Sequence, residues 1–164
     1  MSFSVRVEGI RFAAAHFATF GGECEPLHGH SYEAAAEVEG GLSADSWVTD
    51  FSGLRRLLRE VCAPLDHRFI LQLESELLDI ERTAEGWAVR APGGALYSFP
   101  AEDVAALPID NSTAERLAEH LCGRLWERLT ADGAADLDRI AVEVWEGPGQ
   151  RARFERSCVA GLQE

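Results

Sequence analysis

Three of the chain's five histidines, His16, His28 and His30, fall in the stretch FAAAHFATFGGECEPLHGH, residues 12–30. Cys24 lies four residues before His28. Three neutral imidazoles that leave one coordination position open are a usual catalytic zinc arrangement. A thiol beside such an ion can be held as thiolate and serve as base or nucleophile. Further on, Asp66 and His67 are adjacent, a weak functional signal by itself. The plain alternative for that pair is an imidazolium at a helix C-terminus. Glu146 continues the phase of Val142 and Val144. It lies either just past a sheet edge or as a buried acceptor for a ligand's N–H groups.

These side chains need elements that bring them together. Residues 3–17 alternate in polarity, with a phase shift at Gly9 that suggests a bulge. Residues 28–39 alternate again, putting His28, His30, Tyr32, Ala34, Ala36 and Val38 on one face. Gly21, Gly22 and Pro26 punctuate the link, so the two segments predict an antiparallel hairpin. Placing His16 opposite His30 sets Phe12 against Ala34 and centres the turn near residue 23. His28 and His30 are then about 6.6 Å apart on one strand, with the neighbouring strand about 4.8 Å away. Three imidazoles at that spacing converge on one ion, and Cys24 leans in from the loop rim.

Leu54, Leu57, Leu58, Val61 and Leu65 predict a helix over 50–65, capped by Asp50 or Ser52 and ended by Pro64. Ala114, Leu117, Ala118, Leu121, Leu125 and Leu129 predict a second over 112–130, with Ser112 and Glu115 as a capping box. His120 reads as a surface residue of that helix. Residues 72–110 read as a surface hairpin insertion turning at Glu85-Gly86 and Gly93-Gly94. Strands are expected over 137–145, with Glu143 facing solvent, and over 150–157. The order gives an α+β fold, two helices on one face of an antiparallel sheet, with residues 1–164 as a single domain.

Composition narrows the function classes. The net charge is −13, which disfavours a general nucleic-acid binder, because phosphate neutralisation drives that binding. All 15 basic residues are arginine, and the lack of lysine excludes Schiff-base chemistry, enzyme-bound pyridoxal phosphate and a Walker lysine. No apolar run reaches the length of a membrane span, and the start lacks the regions of a signal peptide, so a cytoplasmic location is expected. The cysteines at 24, 62, 122 and 158 form no CxxC pair. Cys62 reads as a buried helix residue.

FAAAHF, CEPLHGHSY, VTDFSGLRRLL, PLDHRF, NSTAERLA and VEVWE together resemble the 6-pyruvoyl tetrahydropterin synthase / 6-carboxytetrahydropterin synthase family. The resemblance covers most of the chain except residues 72–110. It implies the tunnelling fold (T-fold), a four-stranded antiparallel sheet with two helices on one face, assembled as a homo-hexamer made of two trimers. It implies Zn2+ held by His16, His28 and His30, Cys24 as catalytic cysteine, and Asp66 with His67 as the proton-transfer dyad. Glu146 and Thr113 match substrate-binding positions, Glu146 as the anchor of a pterin ring. The implied substrate is 7,8-dihydroneopterin triphosphate, a pterin triphosphate. The C-x-x-x-H-G-H spacing resembles the 6-carboxytetrahydropterin branch, which serves deazapurine biosynthesis; the alternative is triphosphate elimination alone, giving the pyruvoyl product. NSTAER departs from the family's usual N-P-T-x-E-N, and LDHRFI lacks the usual Leu-Asn after the dyad. An acidic chain also needs local arginines for a triphosphate, with Arg68, Arg151, Arg153 and Arg156 as candidates.

Overall fold

The computed structural model describes residues 2–133 and 137–158. The first alternating segment forms strand β1, Phe3–His16. Two short strands follow, β2 at Thr19–Phe20 and β3 at Glu23–Cys24, and then β4, His28–Gly40. β1 and β4 pair antiparallel, and their register shifts between Val7 and Ile10 around Gly9, which has φ 80°. The bulge stands where the polarity pattern breaks. The pairing itself differs from the sequence expectation by two residues: His16 faces His28, Ala14 faces His30 and Phe12 faces Tyr32. The turn sits on Gly21-Gly22, earlier than the expected centre near residue 23, and β2 and β3 zip into a small hairpin around it. Both glycines have positive φ, 61° and 85°, which favours glycine in a two-residue hairpin turn. A slip of two keeps side-chain parity, so all three histidines still share a face.

Helix α1, Phe51–Cys62, starts at Asp50, whose carboxylate accepts from the N–H groups of Ser52 and Gly53. It runs into a 3-10 turn, Ala63–Leu65, that contains Pro64. Strand β5, Arg68–Gln72, follows. Residues 79–100 carry β6 (Asp79–Arg82), β7 (Gly86–Arg90) and β8 (Leu96–Pro100); β9 is Val104–Leu107. Helix α2, Ala114–Ala131, precedes β10 (Leu137–Gly147) and β11 (Gln150–Ser157).

The main sheet runs β11-β10-β4-β1-β5-β9. The four expected antiparallel strands form one part of it. β5 and β9 extend it by parallel pairing, β5 on β1 and β9 on β5. Both helices cover one face and bury Leu54, Leu58, Leu117, Leu121 and Leu125 against Phe12, Tyr32, Val38 and Val142. No helix among the described residues is long and apolar enough to cross a membrane.

Residues 72–110 are more than a surface hairpin. β6, β7 and β8 make a three-stranded antiparallel sheet, and β9 joins the main sheet. The small sheet closes a second core with Phe17, Phe69, Leu71 and Val89. Phe69 stacks on Phe99 with ring centroids 4.1 Å apart, and Phe17 lies 5.2 Å from Tyr97.

Glu143 is also placed differently from expectation. It is 3% exposed, under a cage of Arg6, Arg151 and Arg153. Those guanidiniums, Arg6 first, hold its carboxyl down at about 2. The N-cap of α2 is Thr113, whose hydroxyl accepts from the Arg116 N–H, so Ser112 is not the cap. His120 is half-buried, and burial lowers its pKa. Cys62 and Cys122 are buried, and burial pushes both thiols up to about 12.

Candidate metal and pterin site

His16, at the end of β1, and His28 and His30, at the start of β4, form one cluster whose possible ligand atoms all lie within 4.8 Å of one another. Bonds of about 2.0–2.1 Å to one shared ion would draw those atoms closer together than 4.8 Å. Ring centroids are 4.6 Å apart for His16–His28, 5.2 Å for His16–His30 and 4.9 Å for His28–His30. Burial falls across the cluster, from His16 at 2% exposure through His30 to exposed His28, so it opens on one side. Gly29 lets the strands approach: a Cβ there would sit 2.9 Å from the Ala14 carbonyl oxygen.

Hydrogen bonds set the tautomers. His16 Nδ1 lies 2.8 Å from the Ser112 carbonyl, and His28 Nδ1 lies 2.8 Å from the Pro26 carbonyl. A carbonyl only accepts, so each Nδ1 carries the proton and each Nε2 keeps a free lone pair. His16 Nε2 is buried with no hydrogen-bond partner among the described residues. Burial, which favours the neutral ring, is the main reason why the His16 pKa is lowered; the Ser112 contact opposes it. Two oriented imidazoles and a buried, unpartnered nitrogen fit a tetrahedral cation with an open position.

Cys24, Asp66 and His67 lie outside that donor set. Cys24 is half-buried on β3 and packs on the second core. Burial and then Glu25 raise its thiol pKa. Asp66 and His67 form their own pair: His67 Nδ1 is 3.0 Å from Asp66 Oδ1. Asp66 Oδ1 also accepts from the Ala13 N–H at 2.8 Å, and the His67 N–H donates to the Ala13 carbonyl. The Ala13 contact and then His67 lower the Asp66 pKa. His67 has φ 57°, a left-handed conformation uncommon for a side-chain-bearing residue. It opens onto a cavity of about 520 Å³ whose lining includes Ala15, Gly29, His30, Phe69 and Asp103.

Glu146 is half-buried one residue past the last β10–β4 pair, Trp145 facing Glu33, and close enough to Tyr32 to act on it electrostatically. Burial raises its pKa; His30 and His28 oppose this, while Glu115 and Glu25 reinforce it. Tyr32 is fully buried and its hydroxyl has no hydrogen-bond partner among the described residues. Its pKa is raised by burial and then by Glu146 and Glu25.

Glu25 is the residue that sequence reasoning missed. It acts electrostatically on His16, Cys24, Tyr32 and Glu146. Its place beside Cys24 was the available signal. The four arginines considered for phosphate divide: Arg151 and Arg153 bind Glu143, Arg156 lies over Trp126, and Arg68 lines the His67 cavity.

The sequence profile of the family described as "6-pyruvoyl tetrahydropterin synthase" matches residues 4–157. A protein of Methanocaldococcus jannaschii named putative 6-carboxy-5,6,7,8-tetrahydropterin synthase is 33% identical over 149 residues, covering 90% of this chain and 91% of the relative. The Haemophilus influenzae 6-carboxy-5,6,7,8-tetrahydropterin synthase is 27% identical over 119 residues, covering 67% and 82%. The solved 6-pyruvoyl tetrahydropterin synthase of Plasmodium vivax superposes with a TM-score of 0.91 at 32% identity, covering 96% of this chain and 99% of that one. Two further structures of the P. vivax protein are described as mutants of a catalytic glutamate.

Proposed function

The chain belongs to the 6-pyruvoyl tetrahydropterin synthase family, and from that premise we propose that it is a zinc-dependent lyase acting on 7,8-dihydroneopterin triphosphate. Its products in this reading are 6-carboxy-5,6,7,8-tetrahydropterin, acetaldehyde and triphosphate. The observation that carries the proposal is the cluster of His16, His28 and His30, with two tautomers set by backbone carbonyls. Zinc suits an all-imidazole donor set, and when bound it supplies Lewis acidity toward the hydroxyls of the substrate side chain.

The chain's own groups take the remaining roles. Cys24 is the base at the substrate side chain. Burial keeps its thiol protonated in the free chain, so ionisation calls for positive charge close by. Asp66 accepts from His67 Nδ1–H, which leaves His67 Nε2 facing outward to take up or return a proton. Glu146, half-buried beside Tyr32, accepts from the guanidine-like N–H edge of the pterin, and Thr113 borders it at the start of α2. The names of the curated relatives and the C-x-x-x-H-G-H spacing support the carboxy product over the pyruvoyl one.

The reading treats residues 1–164 as one domain in the cytoplasm, assembled as a homo-hexamer whose closed barrels cover the sheet edges. Light scattering that returns six chains per particle supports that assembly; a monomer contradicts it. Mass identification of the products from zinc-loaded protein and 7,8-dihydroneopterin triphosphate tests the reaction. 6-Carboxytetrahydropterin with acetaldehyde supports it, and 6-pyruvoyl tetrahydropterin without acetaldehyde replaces it with the elimination-only reaction.

A second reading assigns the base to Glu25. Its electrostatic reach to His16, Tyr32 and Glu146, and the catalytic glutamate of the P. vivax protein, favour it. Comparing Cys24→Ala with Glu25→Ala separates the two, since only loss of the true base abolishes turnover.

A further inference from the structure

We propose that Asn111 is a positioning residue for Cys24, locking the hairpin that carries the thiol to the turn that orients His16. The proposal rests on the role given to Cys24 above. Asn111 Oδ1 accepts from the Thr19 N–H at 2.9 Å, and Asn111 Nδ2 donates to the Thr19 carbonyl at 2.8 Å. Both bonds together fix the amide orientation, because only Oδ1 accepts and only Nδ2 donates. Thr19 is the β2 partner of Cys24 on β3. The Glu25 N–H closes the same hairpin on the Ala18 carbonyl.

The next residue holds the metal side. The Ser112 carbonyl accepts from His16 Nδ1–H, and Ser112 Oγ donates to the Phe17 carbonyl at 3.1 Å. Asn111 Oδ1 also accepts from the Ser112 N–H at 3.0 Å. Fully buried Gln72 lies behind it, with Nε2 3.5 Å from Asn111 Oδ1. Two consecutive residues therefore fix the position of the hairpin and the ring of one histidine. The second core, built partly from residues 72–110, closes the far side of the hairpin, where Cys24 packs with Phe17, Tyr97 and Phe99. That gives the long insertion a purpose at the site. With Asn111 cut back to alanine, the Thr19 backbone loses both Asn111 bonds, and the hairpin is left with the Glu25–Ala18 bond, the Ser112–Phe17 bond at its root and apolar contact. Reacting groups misplaced by about 1 Å cost on the order of 100-fold in rate.

The test uses full-length, zinc-loaded protein and the variants Asn111→Ala and Asn111→Asp. Zinc content, kcat and KM on 7,8-dihydroneopterin triphosphate, and the iodoacetamide alkylation rate of the Cys24 peptide are measured together. Asn111→Ala is expected to keep about one zinc per chain and a KM within about threefold, while kcat falls at least about tenfold. Its Cys24 alkylates at least about fivefold faster, because the thiol loses burial. Asn111→Asp keeps both acceptor contacts, loses the donor, and falls between. If Asn111→Ala does not fold, Asn111→Asp carries the same test. Wild-type kcat and alkylation alongside a lowered melting temperature would reduce Asn111 to a purely structural role and overturn the proposal. If the wild type itself leaves the pterin unchanged, the reaction assignment fails separately. The alkylation rates then decide the clamp: faster in the variants upholds it, unchanged overturns it.

Discussion

Replacing Glu143 by glutamine removes one negative charge from beneath three guanidiniums. Arg6 binds it through two nitrogens at 2.9 and 3.0 Å, Arg153 at 2.9 Å and Arg151 at 2.8 Å. Those partners lower its pKa from 4.5 to about 2. At about 1.36 kcal/mol per pH unit the shift corresponds to ~3 kcal/mol. The arginine side chains are 28–55% exposed, so solvent screening reduces this to ~2 kcal/mol. Because the folded-state pKa is depressed, the stabilisation is fully present above the unfolded value of 4.5 and is lost as pH falls through about 2. The variant leaves Arg6 with Glu8 and Glu37, and Arg153 with Glu37 and Glu155, while the Arg151–Glu143 ion pair is lost, which adds to the cost. For a domain of this size, ~2–3 kcal/mol corresponds to a melting temperature lowered by about 5–10 °C at pH 7. Urea unfolding at pH 7 and pH 3 gives the difference directly, and the gap between wild type and variant should shrink to under half at pH 3. A variant that melts within about 1 °C of wild type at pH 7, or a gap that widens as pH falls, would refute the reasoning.

Other expectations follow from the site. His28→Ala and His16→Ala should each lower zinc stoichiometry well below one per chain, measured by elemental analysis, because three protein ligands become two. Gly29→Ala should weaken zinc binding by at least about tenfold in a chelator competition, since the new Cβ meets the Ala14 carbonyl and drives His28 and His30 from His16. Cys24→Ala should keep its zinc and lose at least about 100-fold in kcat; unchanged kcat would move the base to Glu25.

The sequence pattern exposed the chemistry better than the architecture around it. Period-two alternation put His16, His28 and His30 on one face, and that assignment survived a register error because the error was two residues. The apolar stripes of α1 and α2 marked both helices to within a few residues. β5 and β9 were not legible: four- and five-residue strands that pair in parallel across long separations carry no turn signal. Glu143 broke the rule that charge faces solvent because its partners come from β1 and β11, strands that only the fold brings together. Asn111, Ser112 and Thr113 are all competent helix caps, and sequence could not say that the first clamps a hairpin, the second holds a histidine and only the third caps α2.

In the proposed reaction His16, His28 and His30 together hold the ion that pterin turnover requires. Zinc titration of metal-stripped protein, with acetaldehyde release from 7,8-dihydroneopterin triphosphate as the readout, tests it most directly. No release is expected without metal, then a linear rise with added zinc and a break at about one zinc per chain. Full release from the stripped protein, or a titration that His28→Ala reproduces, would contradict it.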